Sequence, residues 1–475
     1  MRKRILLCLV FCGLALASMA QIPPIAHIGA NNVRGTILGN GTSFLDWYSD
    51  NYSFSSNPCP TWEVPVGSGK STIFQSSLWF GGLDAADSLH LAAIRFGQGF
   101  AMSGGYDFWA GPLKTTDATL DVMTALKYHR IWSLTRMEID YFIAHHGDPG
   151  YMIPEQILTW PAHGEGDYAH DMAPFVDVNN DGRYNPADGD YPDIKGDQCL
   201  FFIFNDSYKE HEESFGGKIG LEVHAMVYAF DTPEDEVLSN TVFFNYKFFN
   251  RSSNDYHNTY LGLWYDWDIG YPNNDYVGCD VRRNSCYAYN GMLIDGSGEP
   301  DAYGDNPPAQ VTTVLAGPEG LRLTGFMYHN NDNSVTGDPS EASEYYLMLQ
   351  GRWKDGSHMQ YGGGAYPGVA GTVGPECNYM FPGDSDPDNI GTNGIAPNDG
   401  YNANGKYWTE EECGNQPYDR RGLAMVGPFS FPAGSVQELD YAEITVWKNG
   451  SGLAKDRIGE FVDRATEFFN NGLSK

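Results

Sequence analysis

Leu221-Glu222-Val223-His224-Ala225-Met226-Val227-Tyr228-Ala229-Phe230 is the stretch whose reading decides the fold. Leu221, Val223, Ala225, Val227 and Ala229 take every second position, the two-residue period that puts them all on one face of an extended chain. A second apolar run over residues 241–249 follows, so the two read as adjacent strands. Similar runs at 200–204, 345–349 and 439–447 are each read as a strand. Around them, 56 glycines, 27 prolines and 14% aromatic residues suit sheets joined by long surface loops and argue against a helical protein. The expected fold is mainly β: one large or two closely packed β-sandwich-like domains with long loops, one short internal helix and a C-terminal helix.

The internal helix starts at Thr135, with Glu138 three residues on as a capping box and Ile139, Phe142 and Ile143 at helical spacing. Near the end, Ile458, Phe461, Val462, Ala465, Phe468 and Phe469 form one apolar stripe that stops at Asn471-Gly472, a helix C-cap. Such a stripe is expected to pack on the sheet. No repeat with a period of about 20–50 residues is visible, which disfavours solenoids and propellers. The expected division is a signal peptide over 1–20, an N-terminal β region over 21–215, a β-sandwich region over 216–452 and the helix over 453–475.

Residues 1–20 carry Arg2, Lys3 and Arg4, an apolar run from Ile5 and the small-x-small end Ser18-Met19-Ala20, the grammar of a secretory signal peptide. Phe11 before Cys12 stands where lipidation needs a small residue, so a lipoprotein is not expected. No later run is long and apolar enough to span a bilayer. The formal charge is −32 and becomes more negative once the leader is removed. That balance repels phosphate backbones and favours divalent cations, so nucleic acid is excluded as a partner. Beyond the leader stand Cys59, Cys199, Cys279, Cys286, Cys377 and Cys413. Export permits disulfides, with Cys279/Cys286 and Cys377/Cys413 the nearest pairs, while buried free thiols remain the alternative.

The strongest chemical motif is Asp177-Val178-Asn179-Asn180-Asp181-Gly182-Arg183-Tyr184-Asn185-Pro186-Ala187-Asp188. Oxygen-bearing side chains fall where a calcium loop places its ligands, at Asp177, Asn179, Asp181, Asn185 and Asp188; Gly182 makes the sharp turn and Arg183 supplies a backbone carbonyl. Calcium, a hard cation that takes six to eight oxygens, is therefore the expected cofactor. The flanks 173–176 and 189–192 read as extended or turned and not helical, so the loop resembles the dockerin or thrombospondin type more than an EF-hand. A single copy makes cohesin binding unlike the expected function.

Two weaker acidic clusters are candidate cation sites: Asp266, Asp268, Asn274, Asp275 and Asp280, and Asp384-Ser385-Asp386-Pro387-Asp388-Asn389. His145, His146, His163, His170 and Asp171 lie close in sequence without zinc spacing, and ordinary hydrogen-bonded histidines are the expected reading. His211-Glu212-Glu213-Ser214-Phe215 begins like a zinc-protease helix but has Phe215 where the second histidine is required. Gly67-Ser68-Gly69-Lys70-Ser71-Thr72 imitates a phosphate loop but has Val64 where its first glycine belongs. No Gly-x-Ser-x-Gly elbow occurs. Exposed rings of Trp264, Tyr265 and Trp267 would be able to stack on sugars, against the plainer reading that they fill a core.

Several segments together resemble the long secreted proteins of Bacteroidetes that usually end in a type IX secretion sorting domain. These segments are Ser77-Leu78-Trp79-Phe80-Gly81-Gly82-Leu83-Asp84, Tyr106-Asp107-Phe108-Trp109-Ala110-Gly111-Pro112, Ile157-Leu158-Thr159-Trp160-Pro161-Ala162-His163-Gly164, the calcium loop running on into Gly189-Asp190-Tyr191-Pro192, Asp275-Tyr276-Val277-Gly278-Cys279-Asp280, Phe381-Pro382-Gly383-Asp384 and Gly427-Pro428-Phe429. The resemblance implies export across both membranes, a secreted or outer cell-surface location, and a mature start at Gln21 suited to cyclisation. No sorting domain of the usual kind follows the helix before Lys475. The expected function is a secreted, calcium-stabilised β protein with a structural or adhesive role and cell-surface proteins as partners. The alternative is a protein that binds or hydrolyses an extracellular glycan, for which no carboxylate pair is singled out.

Overall fold

The computed structural model describes residues 23–45, 62–95, 105–397 and 407–474. The leader over 1–20, Gln21 and Cys59 lie outside the described residues. Two large antiparallel sheets make the body. The first runs Ile25–Ile28, Arg34–Leu38, Thr42–Ser43, Gln75–Leu83, Tyr256–Trp267, Arg420–Phe431, Gly325–His329, with Trp62–Glu63 and Leu89–Ala93 paired beside it. The second runs Asp275–Asp280, Ser285–Asn290, Ala309–Ala316, Val436–Val446, Thr241–Asn250, Leu221–Ala229, Gln198–Asn205, Trp109–Ala110, with Trp132–Thr135 added to Gln198–Asn205. Each sheet combines strands from before and after residue 215, joined by Gln75–Leu83 pairing with Tyr256–Trp267 in the first and Gln198–Asn205 with Leu221–Ala229 in the second.

The opening stretch forms the strand Leu221–Ala229 and pairs with Thr241–Asn250, Ala225 lying opposite Tyr246. Its alternation has an unforeseen second half, because all nine residues are buried. Leu221, Val223, Ala225 and Val227 face the other sheet, whereas Met226, Tyr228 and Phe230 belong to a separate core under the C-terminal helix. That helix, Ile458–Asn470, seats Phe468 edge-on against Phe230 at 4.9 Å and ends before Gly472, whose φ of 74° is left-handed. Between the sheets, Phe80 meets Phe248 at 5.4 Å and Phe431 at 5.3 Å, and Phe244 stacks on Tyr441 at 4.5 Å.

Thr135 caps the helix Arg136–His145 with both bonds of the capping box formed. Among the described residues three further α-helices occur: Val122–Tyr128, Glu155–Leu158 and Ala342–Leu349. The last corrects the strand expected over 345–349. Tyr345, Met348 and Leu349 are buried at the i, i+3, i+4 spacing of a helix face, and Ser340 donates backbone and hydroxyl bonds to Glu344 at its start. This helix covers the outer face of the first sheet, where Tyr345 packs edge-on against Trp79 at 4.7 Å. Among the described residues, no helix is long and apolar enough to cross a membrane.

Candidate metal centres

The loop over 177–188 hangs between Phe175–Val176 and Tyr191–Pro192, a two-stranded ribbon in which Val176 pairs with Tyr191. The ribbon sets the loop's two ends side by side. Asp190, fully buried, locks them by accepting the Val178 and Asn185 amides, each at 2.9 Å. Within the loop the backbone is wound as the motif requires: Asn180 and Gly182 take positive φ of 60° and 75°. Asp177 accepts from Gly182 N at 2.8 Å and Asp181 N at 3.2 Å, while Asp181 accepts from Arg183 N at 2.9 Å. A carboxylate has about four acceptor sites, so these bonds leave lone pairs for a cation.

Asn179, Asp181, Arg183, Asn185 and Asp188 are exposed, and Asp177 is half-buried. Asp188 closes a short helical turn and takes a 2.6 Å bond from the Asn185 amide. Among the described residues, ligand atoms of His, Cys, Asp or Glu gather in threes within 4.8 Å at two places, Asp266/Asp268/Asp419 and His163/His170/Asp171. Asp177, Asp181 and Asp188 are not brought that close.

Of the sequence-close histidines, His145 pairs with Asp148 at 2.7 Å and His146 faces the Ile143 carbonyl. His163 spends one ring nitrogen on the His170 carbonyl at 3.0 Å and accepts the Tyr184 amide at 3.1 Å with the other. It therefore props the loop 177–188 at Tyr184 and retains no ring nitrogen for a metal.

The second acidic cluster is redistributed by strand geometry. Asp280 pairs with Arg283, Asn274 donates to Asp295, and Asp275 accepts the Ile269 amide at 3.0 Å. Asp266 and Asp268 instead meet Asp419, from a strand end some distance away in sequence. Two ionised carboxylates this close would repel by at least roughly 3 kcal/mol at an effective dielectric near 20. Burial, with Asp419 beside it, pushes the Asp268 carboxyl up to about 8; burial lifts Asp266 well above the usual range against the pull of Arg421. Arg421 Nε lies 3.6 Å from Asp266, and the same guanidinium donates to Asp338 at 2.6 Å. Asp338 also takes Arg95 at 2.8 Å and lies 3.3 Å from His329. Against the upward push of burial, His329 and the two arginines hold its carboxyl below the carboxylate range. In the third cluster, Asp386 accepts the Ile390 and Gly391 amides at 2.7 and 2.8 Å, bonds that close a tight loop on itself.

Other motifs resolve without chemistry. The nest of Gly67 and Gly69 amides that would hold a phosphate is filled by Glu63 Oε1, at 3.0 and 2.9 Å. His211 sets its ring nitrogens 2.8 and 2.6 Å from the Leu91 and Asp206 carbonyls, leaving none for zinc. Cys279 and Cys286 are directly opposed across a hairpin yet are free thiols, as are Cys199, Cys377 and Cys413. Trp264, Tyr265 and Trp267 are 0% exposed, which removes them as a sugar-stacking face. Sequence reasoning missed Asp190 as the lock of the loop and Asp419 as the partner of Asp266. Asp190 stood in a quoted segment; nothing in the sequence tied Asp419 to residue 266.

No protein-family model matches the chain, and a search of curated proteins finds no match. The fold and these centres define a mainly β protein of two packed sheets with oxygen-rich sites at its loops and sheet end.

Proposed function

We propose that this is a secreted or cell-surface β protein stabilised by calcium, with a structural or adhesive role. The observation that carries it is the loop 177–188, wound by the Asp177 and Asp181 carboxylates accepting its own backbone amides and pinned at its base by buried Asp190. Ca²⁺ would take Asp177, Asn179, Asp181, Asn185 and Asp188 with the Arg183 carbonyl, and draw Asp188 toward the others. Binding to the folded chain alone adds stability by mass action. Arg183 is an exposed tryptic site inside the ring. Trypsin is expected to cut after Arg183 in EDTA and to be slowed at least about tenfold in millimolar Ca²⁺, since 1.4 kcal/mol of local stabilisation suffices for that factor. Equal cleavage in both would end the proposal.

Glycan binding is the second reading, favoured by a cleft of about 430 Å³ walled by Tyr328, Tyr366, Tyr418, Asn330, Asn415 and Gln416. Rings and amides supply stacking and hydrogen bonding, the chemistry of recognition more than of hydrolysis. Tyr418, 58% exposed, would be its outer ring. Glycan-array binding lost on Tyr418→Ala is its test; no binding by the intact protein removes it.

A further inference from the structure

The outer face of the first sheet carries a row of polar side chains across four strands: Gln75, Asp266, Arg421 and His329 stand opposite one another in register. Same-face neighbours at such positions lie about 5 Å apart. The row is sealed from solvent, with Gln75 1% and Asp266 5% exposed. Yet Asp266 Oδ1, Asp419 Oδ1 and Gln75 Oε1 are each shielded and accept no hydrogen bond. Buried acceptors are nearly always satisfied, and Arg421 Nε, the nearest donor, stands 3.6 Å from Asp266 Oδ1, beyond hydrogen-bond reach, so these oxygens on one sheet face ask for a further donor or a cation. The surrounding charge favours a cation: among the described residues, Asp266, Asp268, Asp419 and Asp338 are set against Arg421 and Arg95, with His329 3.3 Å from Asp338. Gln75 has already spent its amide hydrogens toward the Arg95 carbonyl, which leaves its oxygen as the end facing the row.

We propose that Asp266, Asp268 and Asp419, with Gln75 Oε1, form a second site for a hard divalent cation, buried at the end of the first sheet and separate from the loop 177–188. Three carboxylates and an amide oxygen are the donor set of Ca²⁺ or Mn²⁺ and lack the imidazole and thiolate that select zinc or copper. Asp268 and Asp419 are only half-buried, so they give the site its mouth, while Asp266 and Gln75 form its floor. Charged groups acting on the three carboxylates are Arg421 on the neighbouring strand, and Asp338 and Asp301 from loops.

The test counts ions by equilibrium dialysis of the full chain against Ca²⁺. Wild type is expected to bind two, Asp419→Asn one, and Asp177→Asn/Asp181→Asn one. Asp266→Asn should weaken the buried site about ten- to hundredfold, since each lost ligand charge costs on that order. If it does not fold, Asp419→Asn, whose side chain reaches solvent, carries the test. One ion in wild type that survives in the loop variant and vanishes in Asp419→Asn would uphold this site and sink the loop. An ion count unchanged in Asp419→Asn would overturn the proposal.

Discussion

The loop 177–188 and the Asp266 cluster are built from the same side chains and differ in almost everything else. In the loop, exposed carboxylates are satisfied by backbone amides a few residues away, and the metal would only tighten a turn already wound. In the cluster, strands fix carboxylates that the chain brings from far apart, and burial leaves oxygens without donors. Local geometry prepares the first site and tertiary constraint the second. Removing a carboxylate should therefore have consequences that depend on the setting and not on the chemistry.

The largest contrast is expected at Asp338, which neutralises Arg421 and Arg95 under the helix Ala342–Leu349. Asp338→Ala removes the shortest ion pair of each arginine, leaving Arg421 only Asp266 at 3.6 Å and Arg95 only Glu213 at 3.9 Å, and should lower stability by about 3 kcal/mol in urea titration, whatever the calcium level. A loss below about 1 kcal/mol would mean the network is not closed. Next comes Asp190→Ala at the base of the loop, which strips acceptors from two amides and should cost about 1–3 kcal/mol. It should also speed tryptic cleavage after Arg183.

A third probe uses pH. Glu443 sits between the sheets, bonded to Tyr265 at 2.5 Å, Thr312 and Gln310, and burial pushes its carboxyl up to about 8. A group protonated in the fold but ionised in the unfolded chain gives stability that is full below pH 4.5 and drains away as pH rises to about 8. The slope is at most about 1.4 kcal/mol per pH unit for each such group. Glu443→Gln should flatten its share in any buffer. Asp268 adds a share of the same sign in EDTA, and Ca²⁺ should erase that share alone. The smallest effect belongs to Asp181→Ala in EDTA: under about 1 kcal/mol, because the side chain is exposed.

What was legible in the sequence follows the same division. The two-residue period of 221–229 and the stripe of 458–469 were readable because each element shows its buried face along itself. The loop was readable because all its donors lie within a dozen residues. The run 345–349 misled because five apolar residues in a row carry no period; only the helical spacing of Tyr345, Met348 and Leu349 distinguishes it. Asp266 and Asp268 were flagged as acids, but their neighbours in sequence were the wrong companions. Strand alternation and the turn at Asp280–Arg283 send Asn274, Asp275 and Asp280 to other partners, and only sheet pairing supplies Gln75 and Asp419. Cys279 and Cys286 show the converse, a proximity that sequence spacing suggested and that exists without a bond.

Thermal unfolding of the intact protein in Ca²⁺ and in EDTA, beside Asp177→Asn/Asp181→Asn, bears most directly on calcium as a structural element. At a hundred times the dissociation constant each ion should add about 2.7 kcal/mol, so chelation should lower the wild-type melting temperature by several degrees. The loop variant should show a smaller fall. A wild-type melting curve identical in both buffers would contradict the account.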